Sequence, residues 1–229
     1  MTIRDRYYTI RETIEEATLA SGRDAGAVTL VAVTKYVEVE RIAEAVALGV
    51  TSVGENRVQE LLGKIDFFTK SKIDVNLIGQ LQTNKVKYII NNVNLIQSMD
   101  RLELAREVDR RSRAAGAVSD VLIEVNVGKE EQKGGVSEEE LPRFLDELGA
   151  FENVRVKGLM CIPPPGDEAG VRRHFSRMKR LFEDLKDSRI PNVSMEHLSM
   201  GMSGDYRAAI LEGATMVRIG TALFGERNA

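Results

Sequence analysis

Short apolar runs alternate with amphipathic segments along the whole chain. The runs are rich in Val, Ile and Leu, which is typical of strands that are buried on both faces of a parallel sheet. The segments between them place apolar residues three and four positions apart, and this spacing predicts helices. Eight strands are predicted, at residues 28–33, 51–54, 75–79, 95–98, 121–127, 154–162, 193–199 and 216–220.

This regular alternation predicts an α/β fold with parallel strands joined by right-handed crossovers. Eight such units within 229 residues favour a closed (β/α)8 or TIM barrel. The alternative is an open, doubly wound sheet. An extra amphipathic helix precedes the first strand, with Ile3, Tyr7, Ile10 and Ile14 on one face. No long linker divides the chain, so we expect one domain over residues 1–229.

Composition narrows the class of protein. The net charge is −3, and basic residues are interleaved with acidic ones, which does not favour nucleic acid as a partner. No apolar stretch resembles a signal peptide or a membrane span, so we expect no membrane association. Cys161 is the only cysteine, which favours a reducing cytoplasm. His174 and His197 have no ligand-spaced partner, so no metal site is predicted.

Two turns of small residues near the end of the chain predict an anion site. One contains Ser203 and Gly204 and follows the seventh strand, and the other contains Gly220 and Thr221 and follows the eighth. Small residues let backbone N–H groups approach an anion closely, and helix N-termini favour negative charge. Either turn alone could be an ordinary turn. Together they predict a phosphate site, which in TIM barrels often lies after strands seven and eight.

Lys35 ends the first predicted strand and would lie at the same end of the barrel. Withdrawal from water favours the neutral form of a lysine, and a neutral amine attacks an aldehyde to form a Schiff base. Opposite a phosphate site, Lys35 therefore indicates a phosphorylated aldehyde, for which pyridoxal 5′-phosphate is the candidate. The alternative is that Lys35 simply extends into solvent. The rival lysine, Lys157, comes early in strand six, and we expect it near the bottom or middle of the barrel with an outward-facing stem.

Arg218 lies on the last strand and should point into the mouth of the barrel if the strand alternates regularly. The alternative interpretation is a buried ion pair with an acidic residue at a strand end, either Glu55 or Glu124.

Six motifs, in order along essentially the whole chain, resemble the pyridoxal phosphate homeostasis proteins, which are relatives of the alanine racemase N-terminal domain. The motifs are VAVTK at 31–35, GENRVQE at 54–60, LIGQLQTNK at 77–85, GLMCIP at 158–163, LSMGMSGD at 198–205 and MVRIGT at 216–221. One departure is visible: members commonly carry His-Phe-Ile-Gly where this chain has Asn76-Leu-Ile-Gly79.

The resemblance implies a TIM barrel that holds pyridoxal phosphate as a Schiff base on Lys35. It also implies that Asn56 lies close to the pyridine ring and Arg218 near the ring nitrogen. The phosphate contacts that it implies come from Ser203, Gly204, Gly220 and Thr221.

We expect a carrier rather than an enzyme. Arg218 would oppose protonation of the ring nitrogen and weaken the electron sink that catalysis needs. The chain ends at Ala229, and we expect it to lack the β-domain that gives racemases a catalytic tyrosine. The predicted function is to store pyridoxal phosphate and deliver it to apo-enzymes, in the cytoplasm, as a monomer or weak dimer. The alternatives are a small pyridoxal phosphate-dependent amino-acid racemase and a class I aldolase that uses Lys157. Lys133 would help to capture or hand over the aldehyde, or would be a solvated loop charge.

Overall fold

Eight parallel strands form a closed barrel in the computed structural model, which describes residues 1–128 and 134–226. Each strand pairs with its neighbours in chain order, and the eighth pairs with the first. The predicted TIM barrel is confirmed, and the open-sheet alternative is wrong. The strands are β1 (Thr29–Val33), β2 (Ser52–Glu55), β3 (Asp74–Leu77), β4 (Leu95–Met99), β5 (Ser119–Glu124), β6 (Val154–Met160), β7 (Val193–Ser199) and β8 (Met216–Ile219).

Helices cover the outside of the barrel. They are α1 (Ile3–Ala20), α2 (Val39–Ala47), α3 (Val58–Ser71), α4 (Leu102–Ala115), α5 (Leu141–Leu148), α6 (Glu168–Asp184), α7 (Tyr206–Leu211) and α8 (Thr221–Phe224). The crossover from β3 to β4 differs, because it contains a 3₁₀ helix, Thr83–Tyr88. The predicted N-terminal helix is α1, and it packs against α7 and α8. It begins at a capping box in which Thr2 and Asp5 each accept a hydrogen bond from the other's backbone N–H.

Apolar side chains fill the barrel as well as the space around it. Val31, Leu95, Leu122, Met160 and Met216 form a buried cluster that is separate from the larger core between the strands and the helices. The barrel is therefore packed rather than open, as is usual for this fold, and a ligand has to bind where the strands end.

A glycine at the centre of β6 permits an irregularity in the barrel wall. The register between β6 and β7 shifts between Val156 and Gly158, and Gly158 has a φ of +145°. A Cβ atom at this position would lie 1.8 Å from the carbonyl oxygen of His197. Only glycine fits, and the shifted register then pairs Met160 with Ser199 near the carboxyl ends of the strands.

Candidate functional site

The carboxyl ends of four strands place the predicted site residues at one end of the barrel. Lys35 follows β1 by two residues, and Asn56 comes directly after β2. The small-residue turns follow β7 and β8, and β8 pairs with β1. Lys35, Gly220 and Thr221 line one cavity of about 600 Å³, a size that suits a small organic ligand. The structure therefore brings the first strand and the last turn together.

The two small-residue turns are joined by a hydrogen bond. The backbone N–H of Ala222 donates to Ser203 Oγ at 3.2 Å. Asp205 closes its own turn, because its carboxylate accepts from the N–H of Met202 at 2.6 Å. Within the described ranges, the N–H groups of Ser203 and Gly204 donate to no acceptor of the chain. These donors, with the first turn of α8, could satisfy the oxygens of an anion.

The backbone before Lys35 is held by a buried carboxylate. Glu55 is fully buried, and its Oε1 accepts from Thr34 Oγ1 at 2.7 Å and from Lys64 Nζ at 2.8 Å. Lys64 also donates to the carbonyl oxygen of Thr34 at 2.8 Å. Burial raises the pKa of Glu55, although Lys64 and Thr34 oppose this shift. Lys35, which is half-buried, is thus attached to a braced strand end.

Asn56 offers an acceptor that the described residues do not satisfy. Its Oδ1 is buried and has no hydrogen-bond partner among them. The backbone of Asn56 is packed against Gly79, where a Cβ atom would lie 2.3 Å from the Asn56 carbonyl oxygen. A buried acceptor without a donor is costly, so this amide is suited to bind a donor from a ligand.

Arg218 points into the barrel, and it makes neither of the ion pairs of the alternative interpretation. It is 3% exposed, and its guanidinium donates to Ser199 Oγ at 2.7 Å and to the carbonyl oxygen of Cys161 at 2.8 Å. Glu55 is instead paired with Lys64. Within the described part of the chain, Arg218 forms no salt bridge with Glu124 either. Desolvation lowers the pKa of Arg218, but a guanidinium remains protonated in proteins.

Glu124, at the end of β5, is a titratable group at this end of the barrel whose pKa lies near neutrality. Its pKa is raised to about 7, first because the side chain is largely withdrawn from water and second because Asp100 is negatively charged. Arg218 opposes the shift. Sequence reasoning considered Glu124 only as an ion-pair partner and missed this property. A lone acidic residue at the end of an apolar strand was the available signal.

Lys157 lies at the opposite end of the barrel from Lys35, as predicted, but its stem does not point outward. Its Nζ lies 2.6 Å from Glu196 Oε1, and the side chain lines a cavity of about 220 Å³ together with Asp74, Asp120 and His197. The register shift at Gly158 accounts for the difference, because it breaks the regular alternation on which the prediction depended.

Lys133, which was predicted to help capture or hand over the aldehyde, lies outside the described residues. Among residues 1–128 and 134–226, no group of three or more His, Cys, Asp or Glu side chains is arranged to hold a metal ion. In the same residues, no helix combines the length and the apolar character that a membrane crossing requires.

Comparisons with known proteins agree on one family. The family model described as alanine racemase, N-terminal domain matches residues 12–228. A pyridoxal phosphate homeostasis protein of Aquifex aeolicus is 45% identical over the full length of both chains. An unknown protein from Bifidobacterium adolescentis superposes with a TM-score of 0.90 at 35% identity, covering 96% of this chain and 94% of the other.

PipY of Synechococcus elongatus is a third relative, solved with pyridoxal phosphate bound. It is 33% identical, with a TM-score of 0.80, and the match covers 93% of this chain and all of PipY.

Proposed function

The chain belongs to the family of the alanine racemase N-terminal domain, and on this premise we propose that it binds pyridoxal 5′-phosphate, stores it and delivers it to apo-enzymes. The single observation that carries the proposal is that Lys35 shares a cavity with the turn of Gly220 and Thr221. An amine and a phosphate-type turn at one cavity are the two groups that a phosphorylated aldehyde requires.

The described residues fit this ligand. Ser203, Gly204, Gly220 and Thr221 would bind the phosphate through N–H and hydroxyl groups. The unsatisfied Oδ1 of Asn56 would accept a hydrogen bond from a substituent of the ring. These assignments explain why small residues and an orphaned acceptor occur at one end of the barrel.

Lys35 would bond covalently to the aldehyde carbon with release of water. When bound, the cofactor supplies an electron sink to amino-acid chemistry. Arg218 would stand near the ring nitrogen. Its partners in the described residues are a hydroxyl and a carbonyl oxygen, so its positive charge would oppose protonation of the ring. This favours holding the cofactor over using it.

The experiment is a titration of the purified protein with pyridoxal phosphate, followed by visible absorption. We expect a new band that Lys35→Ala abolishes. Lys157→Ala is the matched control, because it removes a half-buried lysine at the other end of the barrel, and it should retain the band. Borohydride reduction and peptide mapping should place the label on Lys35. A label on Lys157 would instead support the aldolase alternative, and a wild-type protein without a band would refute cofactor binding.

The racemase alternative is favoured by the family match and by Glu124, whose pKa of about 7 suits proton transfer. Exchange of the α-hydrogen of alanine or serine in deuterated water would support it if Glu124→Gln abolished that exchange. Exchange no faster than with free cofactor would favour the carrier.

The delivery function has its own test. Transfer of the cofactor to an apo-enzyme at a rate faster than its release into buffer would support delivery.

We also propose a cytoplasmic location and a single domain that is monomeric or weakly dimeric. The thiol of Cys161 is fully buried, and burial raises its pKa to about 12, so it is held as a thiol rather than as a reactive thiolate. Sedimentation at several protein concentrations tests the oligomeric state, and cell fractionation tests the location.

A further inference from the structure

A chain of buried side chains leads from Arg218 across the interior of the barrel. Arg218 Nη1 donates to Ser199 Oγ at 2.7 Å, and Ser199 Oγ donates to Gln97 Oε1 at 2.7 Å. Gln97 Nε2 then donates to Asn76 Oδ1 at 2.9 Å. Asn76 Nδ2 donates to Ser52 Oγ at 2.9 Å. This row of hydrogen bonds therefore passes from β8 through β7, β4 and β3 to β2.

The guanidinium of Arg218 and the backbone carbonyl oxygen of Val53 fix the two ends of this row of hydrogen bonds, since the first can only donate and the second can only accept. Ser199 Oγ accepts from Arg218, and its own hydroxyl donates to the side-chain carbonyl oxygen of Gln97. The amino group of Gln97 then faces Asn76, whose amino group binds Ser52 and the carbonyl oxygen of Val53, the latter at 2.9 Å. Turning either amide over would oppose two donors or two acceptors, so each amide has one allowed orientation.

Burial makes each link necessary. Gln97 and Ser199 are completely buried, and Asn76 is 2% exposed. A broken link would leave a polar group without water to replace its partner. Loss of Gln97 would free the hydroxyl of Ser199 to turn away, so that Arg218 would keep the Cys161 carbonyl as its remaining acceptor among the described residues.

We propose that Gln97 and Asn76 are positioning residues, which act through Ser199 to hold the Arg218 guanidinium for the ring nitrogen of pyridoxal phosphate. The inference rests on the proposed function for the identity of the ligand. It assigns a role to Asn76, which accepts from Gln97 and donates to Ser52. It also explains why two amides are buried inside the barrel, next to the apolar cluster of Val31, Leu95, Leu122, Met160 and Met216.

Gln97→Met tests the proposal, because it keeps the approximate volume and removes both hydrogen bonds. We expect the visible band of the bound cofactor to shift and the Kd to rise roughly tenfold. Ser112→Ala is the matched control: it removes one buried hydrogen bond, to Ser119 Oγ at 2.8 Å, away from Arg218. Ser112→Ala should keep the wild-type band and Kd, even if thermal unfolding shows that it loses as much stability as Gln97→Met.

Asn76→Leu is the second variant, for use if Gln97→Met does not fold. It keeps the approximate volume without adding a charge, and it loses the acceptor for Gln97 and the donor to Ser52 and Val53. We expect the same band shift with a smaller rise in Kd. Folded variants with the wild-type band and Kd would overturn the positioning role while leaving the proposed function intact.

A measurement without ligand separates the two proposals further. In the ligand-free protein, nitrogen NMR should show slow rotation of the Arg218 guanidinium in wild type and in Ser112→Ala, and faster rotation in Gln97→Met. Equal rotation in all three would overturn the positioning role. The proposed function alone would be refuted by two results together: the wild type fails to bind pyridoxal phosphate, and the Arg218 guanidinium still rotates faster in Gln97→Met than in the wild type.

Discussion

The ammonium group of Lys64 lies 2.8 Å from the carboxylate of Glu55, which is completely buried between the barrel and α3. The two residues share Thr34 as a common partner, since Glu55 accepts from its hydroxyl and Lys64 donates to its carbonyl oxygen. The ends of β1 and β2 are therefore joined by one charged pair, directly before Lys35 and Asn56 in the chain.

Lys64→Met should destabilise the protein strongly. The substitution leaves the Glu55 carboxylate buried without its cation, and removal of one partner of a buried pair typically costs about 3 kcal/mol or more. Urea unfolding gives the free energy. Arg143→Ala is the control, because it breaks the exposed pair of Arg143 with Glu147 and should change stability by less than about 0.5 kcal/mol. If the two substitutions lowered the free energy of unfolding equally, the buried pair would contribute no more to stability than the exposed pair.

Glu124 should make stability fall as the pH rises towards neutrality. Its pKa is raised from 4.5 to about 7 in the folded state, first by burial and second by the charge of Asp100, while Arg218 opposes the shift. Between these values the folded state holds a proton that the unfolded state has released, so the free energy of unfolding decreases with pH. Glu124→Gln removes this contribution. The free energy of unfolding of the variant, relative to that of the wild type, should therefore increase as the pH rises from 4.5 to about 7.

The measurement is urea unfolding at several values from about pH 4.5 to 8. Glu152→Gln, which removes an exposed carboxylate, controls for the loss of one charge. Parallel stability curves for Glu124→Gln and the wild type would contradict the prediction.

Gly158→Ala should be far more destabilising than Gly116→Ala. Both glycines have positive φ angles, +145° and +64°. At Gly158 the new Cβ would lie 1.8 Å from the His197 carbonyl oxygen, whereas at Gly116 no atom lies within 4 Å. We expect a loss of about 4 kcal/mol or more at Gly158, because the backbone must move, and about 1 kcal/mol at Gly116. Similar midpoints in urea would disprove the close approach.

Ser203→Ala should weaken binding more than it weakens the fold. It leaves the N–H of Ala222 without its acceptor and removes a hydroxyl from the proposed phosphate site. We expect pyridoxal phosphate and competing inorganic phosphate to bind roughly tenfold more weakly, with about 1 kcal/mol lost in stability.

Ser194→Ala is the matched control, since Ser194 donates to Glu196 on β7, near the Lys157 end of the barrel. It should lower stability by a similar amount and leave both affinities unchanged. A phosphate affinity that Ser203→Ala does not alter would remove this turn from the site.

The pattern of the chain predicted eight parallel strands and the end of the sheet at which a ligand would bind, but it left the closed barrel and the open sheet as alternatives. Apolar runs separated by helical spacing establish the number and direction of the strands, and the carboxyl ends of parallel strands all meet at one rim. For this reason Lys35, Asn56 and the two small-residue turns could be grouped before their positions were known.

The partners of the buried polar groups required the folded structure. Glu55 is paired with Lys64 on a helix rather than with Arg218, and Arg218 donates to Ser199 and to a backbone carbonyl. Lys157 lines a cavity because a register shift at Gly158 breaks the regular alternation. Periodicity predicts which face of an element is buried, but the contacts inside a barrel depend on register, tilt and bulges. These are set only when all eight strands close together.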